Sequence, residues 1–265
     1  MLSRKNRILL QELIKTDFKL RYQGSVMGHL WSILKPLLLF GIMYIVFVRF
    51  LKFDDGTPHN AVGLLLGMTT WNFFSEATNM GMHSIVSRGD LIRKLNFSKY
   101  IIVISSVMGA MINYIINLGV VVLFALINGV SFNLGWLMII PLLLELVILA
   151  TGISLVLASL YVKFRDIAPI WEVILQGGLY ATPIIYSITF ILQRGGSSVA
   201  QVMLLNPMAQ IIQDLRHFLI HSSNVTVWQV NDFIGVIIPY IIPVVMFMIG
   251  FVMFNKNAKK FAEIL

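Results

Sequence analysis

The sequence predicts an all-α integral membrane fold with six transmembrane helices, and three observations carry that reading. Of its 265 residues 58% are hydrophobic and only 12% charged, with a mean hydropathy of +0.84, far from the balance of a soluble domain. The apolar residues come in runs of about 20 or more, the length a helix needs to cross roughly 30 Å of hydrocarbon. The basic residues gather at alternate ends of those runs, as expected of a chain oriented by positively charged cytoplasmic loops. The net charge of +8 therefore belongs to membrane orientation. No basic segment is long enough to read a nucleic-acid groove, and with no cysteine present thiol and disulfide chemistry are excluded.

The elements follow in order. Over residues 5–22, Leu10, Leu13, Ile14 and Phe18 recur at helical spacing among Lys5, Arg7, Lys15, Lys19 and Arg21, the pattern of a helix lying in the membrane interface. No short apolar stretch with a small-residue cleavage site is found there, and no cleaved signal peptide is expected. The first span covers 31–51, with Pro36 near its start and Lys35 placed to snorkel to the headgroups. The second, 61–84, is less apolar and holds Asn72, Glu76, Asn79 and His83; its Gly63 and Gly67 form a G-x-x-x-G pair, which permits close helix approach. The third and fourth cover 100–127, which carries no charge, and 134–161, interrupted by Glu145 alone. The fifth, 167–191, contains Gly177, Gly178 and Pro183 and is expected to be bent or broken. Residues 193–232 are too polar for a span and too apolar for a solvated loop. Two amphipathic pieces, 199–205 and 208–220, flank Asn206-Pro207, so this region reads as an external re-entrant segment dipping into the outer leaflet. The sixth span is 233–254.

Charge tests the topology. With both termini cytoplasmic, sixteen of the twenty basic residues fall inside, leaving only Arg49, Lys52, Arg194 and Arg216 outside. That places residues 86–99 in the cytoplasm as a short charged island between long apolar runs. Arg88, Arg93, Lys94 and Lys99 are basic, whereas Leu91, Ile92, Leu95 and Phe97 are apolar, with Leu91 and Leu95 at i, i+4. An apolar face inside a basic loop suggests docking of lipid headgroups or of a protein partner; a loop that only sets orientation is the plainer alternative.

Little chemistry is encoded besides. No G-x-x-x-x-G-K-[ST] loop is present, so any ATP hydrolysis belongs to another chain. There is no nucleophile elbow and no metal-ligand spacing; His217 and His221 stand at i, i+4 without a neighbouring acid. Glu76, Glu145 and Glu172 are carboxylates in or near spans, either functional or bonded to neighbouring helices. Asn224-Val225-Thr226 fits a glycosylation sequon.

Four segments together resemble the membrane subunit of type-2 ABC exporters, in particular the polysaccharide and polyol-phosphate export permeases. They are residues 13–22 running into 25–37, residues 91–97, Phe164-Arg165-Asp166 with residues 182–186, and Asn206-Pro207 followed by Arg216. Lys35 departs from the pattern, which more often has an uncharged polar residue there, and Ser98 stands where proline is frequent. The resemblance implies a homodimer of this chain with two copies of a separate ATPase, which binds ATP and Mg; this chain itself holds no cofactor. It implies that the island is a coupling helix on which the ATPase docks, through Arg88, Asp90, Leu91, Ile92, Arg93, Lys94, Leu95, Asn96 and Phe97. The implied substrate is a glycan on a polyprenyl diphosphate carrier, and the pattern is most similar to rhamnose-rich wall polysaccharide exporters of Gram-positive cocci.

Two further expectations follow from that resemblance. Lys15, Lys19 and Arg21 would attract a lipid diphosphate, as they would any anionic headgroup. Since the first and fifth spans border the channel in this family, Phe40, Tyr44 and Phe47, at i, i+4, i+7 on the first span, and Tyr180 and Tyr186 on the fifth, form a candidate aromatic track for sugar rings; the alternative is lipid-facing or packed rings. Exporters of drugs, lipids or teichoic acid share the fold. A polytopic membrane enzyme acting on lipid-linked sugars would need a polar catalytic cluster at a membrane interface, and none stands out in the sequence.

Overall fold

A computed structural model of the chain describes residues 4–20, 28–50, 57–95, 97–258 and 260–264. Among the described residues all regular structure is helical. The elements are α1 (Arg4–Leu20), α2 (Trp31–Met43, continued by a π-helical stretch Tyr44–Phe50), α3 (Asn60–Ser87), α4 (Gly89–Lys94), α5 (Tyr100–Ile127), α6 (Ile139–Tyr161, entered through a 3-10 turn at Leu134–Met138), α7 (Ile167–Ala181), α8 (Ile188–Arg194), α9 (Ser197–Leu204), α10 (Pro207–Leu219), α11 (Val227–Val230), α12 (Phe233–Ala258) and α13 (Phe261–Ile264). Residues 100–127, 134–161 and 233–258 form three helices long and apolar enough to cross a membrane.

The most polar of the expected spans is the most central. α3 packs against α5 on one side and α6 on the other and also meets α2, α7 and α10. Val62, Leu66, Ala77, Met82 and Ile85 are fully buried along it. Its buried threonines are compatible with that position because they satisfy themselves: the hydroxyls of Thr69, Thr70 and Thr78 donate to carbonyls one turn back at 2.8–2.9 Å. A lipid-facing helix has to be apolar throughout, whereas a helix surrounded by protein can carry polar groups that are paired. α12, by contrast, presents Ile234, Ile241, Val244, Met248 and Val252 outward.

Small residues set the closest crossings. α6 and α12 form the most extensive helix pair, and they meet where Gly152 faces Gly250: a Cβ on Gly250 would lie 2.3 Å from the Gly152 carbonyl oxygen. Gly81 of α3 gives the same freedom to Ser154 of α6, whose Oγ reaches the Ala77 carbonyl at 3.3 Å. The G-x-x-x-G pair of α3 serves differently. A Cβ on Gly67 would lie 3.0 Å from Arg216 Nη2, and one on Gly63 3.5 Å from Arg216 Nε, so these glycines open a slot for a guanidinium and do not mediate a close helix crossing.

The fifth span ends earlier than its apolar run. α7 stops at Ala181, Thr182 is extended ahead of Pro183, and α8 joins a separate cluster with α9, α11 and the start of α12, built on Ile188, Ala200, Leu204, Val227 and Val236. At 15 residues α7 is about 22 Å long. Segments 199–205 and 208–220 do form two helices separated at Asn206-Pro207. α10 does not lie against lipid, however: Met208 to Arg216 are all buried, against α3, α6 and α12.

Candidate functional site

Polar side chains from several helices come together at the break after α7, between α2, α3 and α5, and at the charged island, among other places. The first is the break after α7. Asn206 caps α10 by accepting from Met208 N at 3.0 Å, and its amide donates to Thr182 Oγ1 at 3.1 Å. Nearly three helical turns on, Arg216, 4% exposed, donates Nε to Gly63 O at 3.0 Å, Nη1 to Pro183 O at 2.8 Å and Nη2 to Ile184 O at 2.6 Å. The fork of the guanidinium thus satisfies the Pro183 and Ile184 carbonyls past the end of α7 and ties them to Gly63 of the intact α3. Arg216, counted as external from charge alone, is a buried structural pin. Beside it on α10, Asp214 accepts from Gln210 Nε2 at 2.7 Å and from the Tyr240 hydroxyl at 2.5 Å, and Glu145 of α6 faces this pair. Trp228 Nε1 donates to Tyr240 at 2.9 Å.

The second place is a cavity of about 400 Å³ between α2, α3 and α5. Trp31, Lys35 and Leu39 line it from α2, Asn72, Ser75 and Glu76 from α3, and Asn113, Tyr114 and Asn117 from α5. Asn113, 4% exposed, donates its amide to Glu76 Oε1 at 3.2 Å and leaves its own Oδ1 without a partner. The Tyr114 hydroxyl is held by Thr70 at 2.9 Å. A carboxylate and amides thus line a cavity in an otherwise apolar bundle, with the exposed Lys35 at its edge.

The third place is the charged island. Arg88 forms an ion pair with Asp17 of α1 and donates to Ser105 Oγ at 3.1 Å, and Asn6 of α1 donates to Ser98 at 3.1 Å. The expected amphipathic helix is shorter than the island: α4 ends at Lys94, and Leu95 is extended, so Leu91 and Leu95 do not share a helical face. Ile92 is buried in a cluster with Ile85, Ile102, Phe254 and Phe261, against which Leu91 and Phe97 also pack. The apolar residues at 91 and 92 hold the island to its own chain, while Asp90, Arg93, Lys94 and Leu95 are exposed, with Arg93 donating to Asp90 at 3.1 Å. Asn96 lies outside the described residues.

The remaining expected residues are dispersed. Phe40 and Tyr44 are neighbours at 5.9 Å between centroids, and Phe40 packs edge-on to Phe124 of α5 at 5.6 Å; Phe47 lies in the π-helical stretch, which breaks the i, i+4, i+7 register. Tyr180 is exposed and its carbonyl accepts from the Tyr186 hydroxyl at 2.6 Å. α2 packs on α3 and α5, whereas α7 packs on α3 and α6, so the two aromatic groups stand on different flanks of α3 within one chain. Lys15 pairs with Glu12 at 3.2 Å in the open, Lys19 belongs to α1, and Arg21 lies outside the described residues. Glu172 is exposed on α7. The Asn224 side chain is buried and donates to His221 O at 2.9 Å, which withdraws the sequon from the surface.

A family model described as "ABC-2 type transporter" matches residues 8–220. The chain belongs to the ABC-2 type transporter family. The match begins in α1 and ends one residue past α10, so the family region takes in the cavity, the island and Arg216. Similar proteins include an O-antigen export system permease protein RfbA of Klebsiella pneumoniae, 28% identical over 259 residues that cover 97% of this chain and 95% of that protein. A protein of the same name from Myxococcus xanthus is 26% identical over 207 residues, 78% of each chain. In this ABC-2 type chain the motifs scattered along the sequence meet in space: residues 182–186 with Asn206 and Arg216, and Asp17 with Arg88. The cavity was the part that sequence reasoning passed over. Its signal is polar residues at helical spacing within spans, Asn72 and Glu76 on α3 and Asn113 and Asn117 on α5.

Proposed function

We propose that this chain is the permease subunit of an ATP-driven exporter that moves a polyprenyl-diphosphate-linked polysaccharide across the bacterial cytoplasmic membrane. The observation that carries the reading is the family match over residues 8–220, joined by near full-length similarity to proteins named for O-antigen export. The polar cavity inside the apolar bundle supports a hydroxylated cargo over a drug or a simple lipid. In this reading two copies of the chain assemble with two copies of an ATPase, which supplies ATP and Mg. Tyr180, Tyr186, Phe40, Tyr44 and Phe47 meet along a channel only between the two copies, and Lys15, Lys19 and Arg21 gather anionic lipid at the entrance. A rhamnose-rich cargo is the composition favoured by the sequence resemblance.

The ATPase docks, in this proposal, on the exposed side of α4. Leu95→Asp together with Arg93→Glu changes only exposed side chains, and is expected to abolish co-purification with the ATPase or glycan-stimulated ATP hydrolysis while the permease melts at the parent temperature. In proteoliposomes containing both subunits, lipid-linked glycan is expected to accelerate hydrolysis and appear on the far side. No transfer of glycan by the unsubstituted complex would overturn the export reading; unchanged coupling in the double variant would overturn the docking surface.

Six crossings with cytoplasmic termini make a second expectation, tested cleanly because the chain has no cysteine. Cysteines introduced at exposed Lys94 and Ser223 should react with a membrane-impermeant maleimide from the cytoplasmic and external sides respectively. Labelling of position 94 from outside would overturn the topology.

A further inference from the structure

The cavity between α2, α3 and α5 has a polarity gradient that identifies what it takes. At its mouth Lys35 is exposed, and among the described residues it makes no hydrogen bond or ion pair. Trp31 lies one turn earlier on α2, also lining the cavity and 41% exposed. Deeper in, Asn72 and Glu76 are half-buried and Asn113 fully buried with an unpartnered Oδ1. The mouth therefore offers a cation and an aromatic face, and the interior offers amides and a carboxylate.

We propose that this cavity recognises the sugar–phosphate junction of a lipid-linked glycan: Lys35 takes the phosphate at the mouth, and Asn72, Asn113 and Glu76 take the hydroxyls of the first sugar ring. The inference rests on the export reading above and deepens it. Each part follows from the groups present. An ammonium at a membrane surface is a point-charge partner for phosphate. Glu76 repels a phosphate from the interior but accepts hydrogen bonds from neutral hydroxyls, so the order of groups is set: phosphate outside, sugar inside. Amides both donate and accept, which suits vicinal hydroxyls. The C–H face of the ring can lie on the Trp31 indole. A volume of about 400 Å³ falls within the roughly 300–1,000 Å³ of small-molecule sites, room for a ring and not for a polymer. The cavity is then a site for the carrier-proximal end of the cargo, and the rest of the glycan lies elsewhere.

Ordinary phospholipid would bring the same phosphate chemistry, so the test separates the two. The full chain, purified with its ATPase in nanodiscs, is titrated with a short polyprenyl diphosphate bearing one sugar, with the same polyprenyl diphosphate lacking sugar, and with phosphatidylglycerol. The sugar-bearing probe should bind about tenfold more tightly than the other two, the worth of one or two hydrogen bonds to charged or buried groups. Lys35→Gln should weaken both diphosphate probes about tenfold and Lys35→Arg restore them. Asn72→Leu, at a half-buried position, should erase the sugar preference and leave the sugar-free probe unchanged; Asn113→Leu should do the same. Equal binding of all three probes, or affinities indifferent to Lys35→Gln, would overturn the site. If glycan is exported while the sugar preference is absent, only this inference falls; if no glycan is exported at all, the export reading falls with it.

Discussion

Arg216→Leu is expected to leave no well-folded permease. Its guanidinium donates to three backbone carbonyls, of Gly63, Pro183 and Ile184, in a region where Arg216 itself is 4% exposed. Leucine fills part of the volume and satisfies none of them. Hydrogen bonds from a charged group contribute about 1.5–3 kcal/mol each, and three together, even without full additivity, are comparable to a typical domain's stability of about 5–15 kcal/mol. Arg216→Lys keeps the charge but not the fork, so it cannot reach Gly63 on α3 and the broken end of α7 at once. It should give an intermediate loss. Thermal melting followed by size-exclusion chromatography of detergent-purified protein checks this: parent-like melting of the leucine variant would show that the α7 break holds itself. Gly67→Ala, whose Cβ would sit 3.0 Å from Arg216 Nη2, should show a smaller loss in the same assay.

Gly250→Val should be nearly as severe, for a steric reason. Its Cβ would meet the Gly152 carbonyl oxygen at 2.3 Å, and a Cβ on Gly152 would meet Phe247 N at 2.5 Å. These are backbone atoms, so no rotamer change relieves the overlap and α6 must part from α12. The consequence reaches the charged island, because Phe254 of α12 and Phe261 of α13 pack with Ile92 of α4. The substitution should therefore lower both the melting temperature and ATPase binding. Gly119→Ala and Gly177→Ala have nothing within 4 Å of the new Cβ and should be neutral or stabilising, Ala being favoured over Gly in helices by about 1 kcal/mol. Equal melting of Gly250→Val and Gly177→Ala would show that the α6–α12 crossing is looser than the structure has it.

Much of the chain was legible from pattern. The helices over 100–127 and 134–161 begin and end where their apolar runs do, while α3 and α12 run three and four residues past theirs; a helix in apolar surroundings satisfies its backbone internally, so the runs mark the helices. The stop and restart at Asn206-Pro207 was legible from Pro and cap chemistry alone. What could not be read was the direction in which each polar or small residue points. Residues 91 and 92 look like a free apolar face in sequence but are consumed by Phe254 and Phe261, some 160 residues later.

The sequence by itself determined the class of fold and the ABC-2 resemblance, since these depend on composition and on periodicities within single segments. The tertiary structure alone decided that Arg216 is a buried pin, that Gly63 and Gly67 make its slot, and that Lys35, Glu76 and Asn113 share one cavity. The physical reason is that a guanidinium or a carboxylate acquires its role from the groups within about 3 Å of it, and here those groups come from helices up to 153 residues apart.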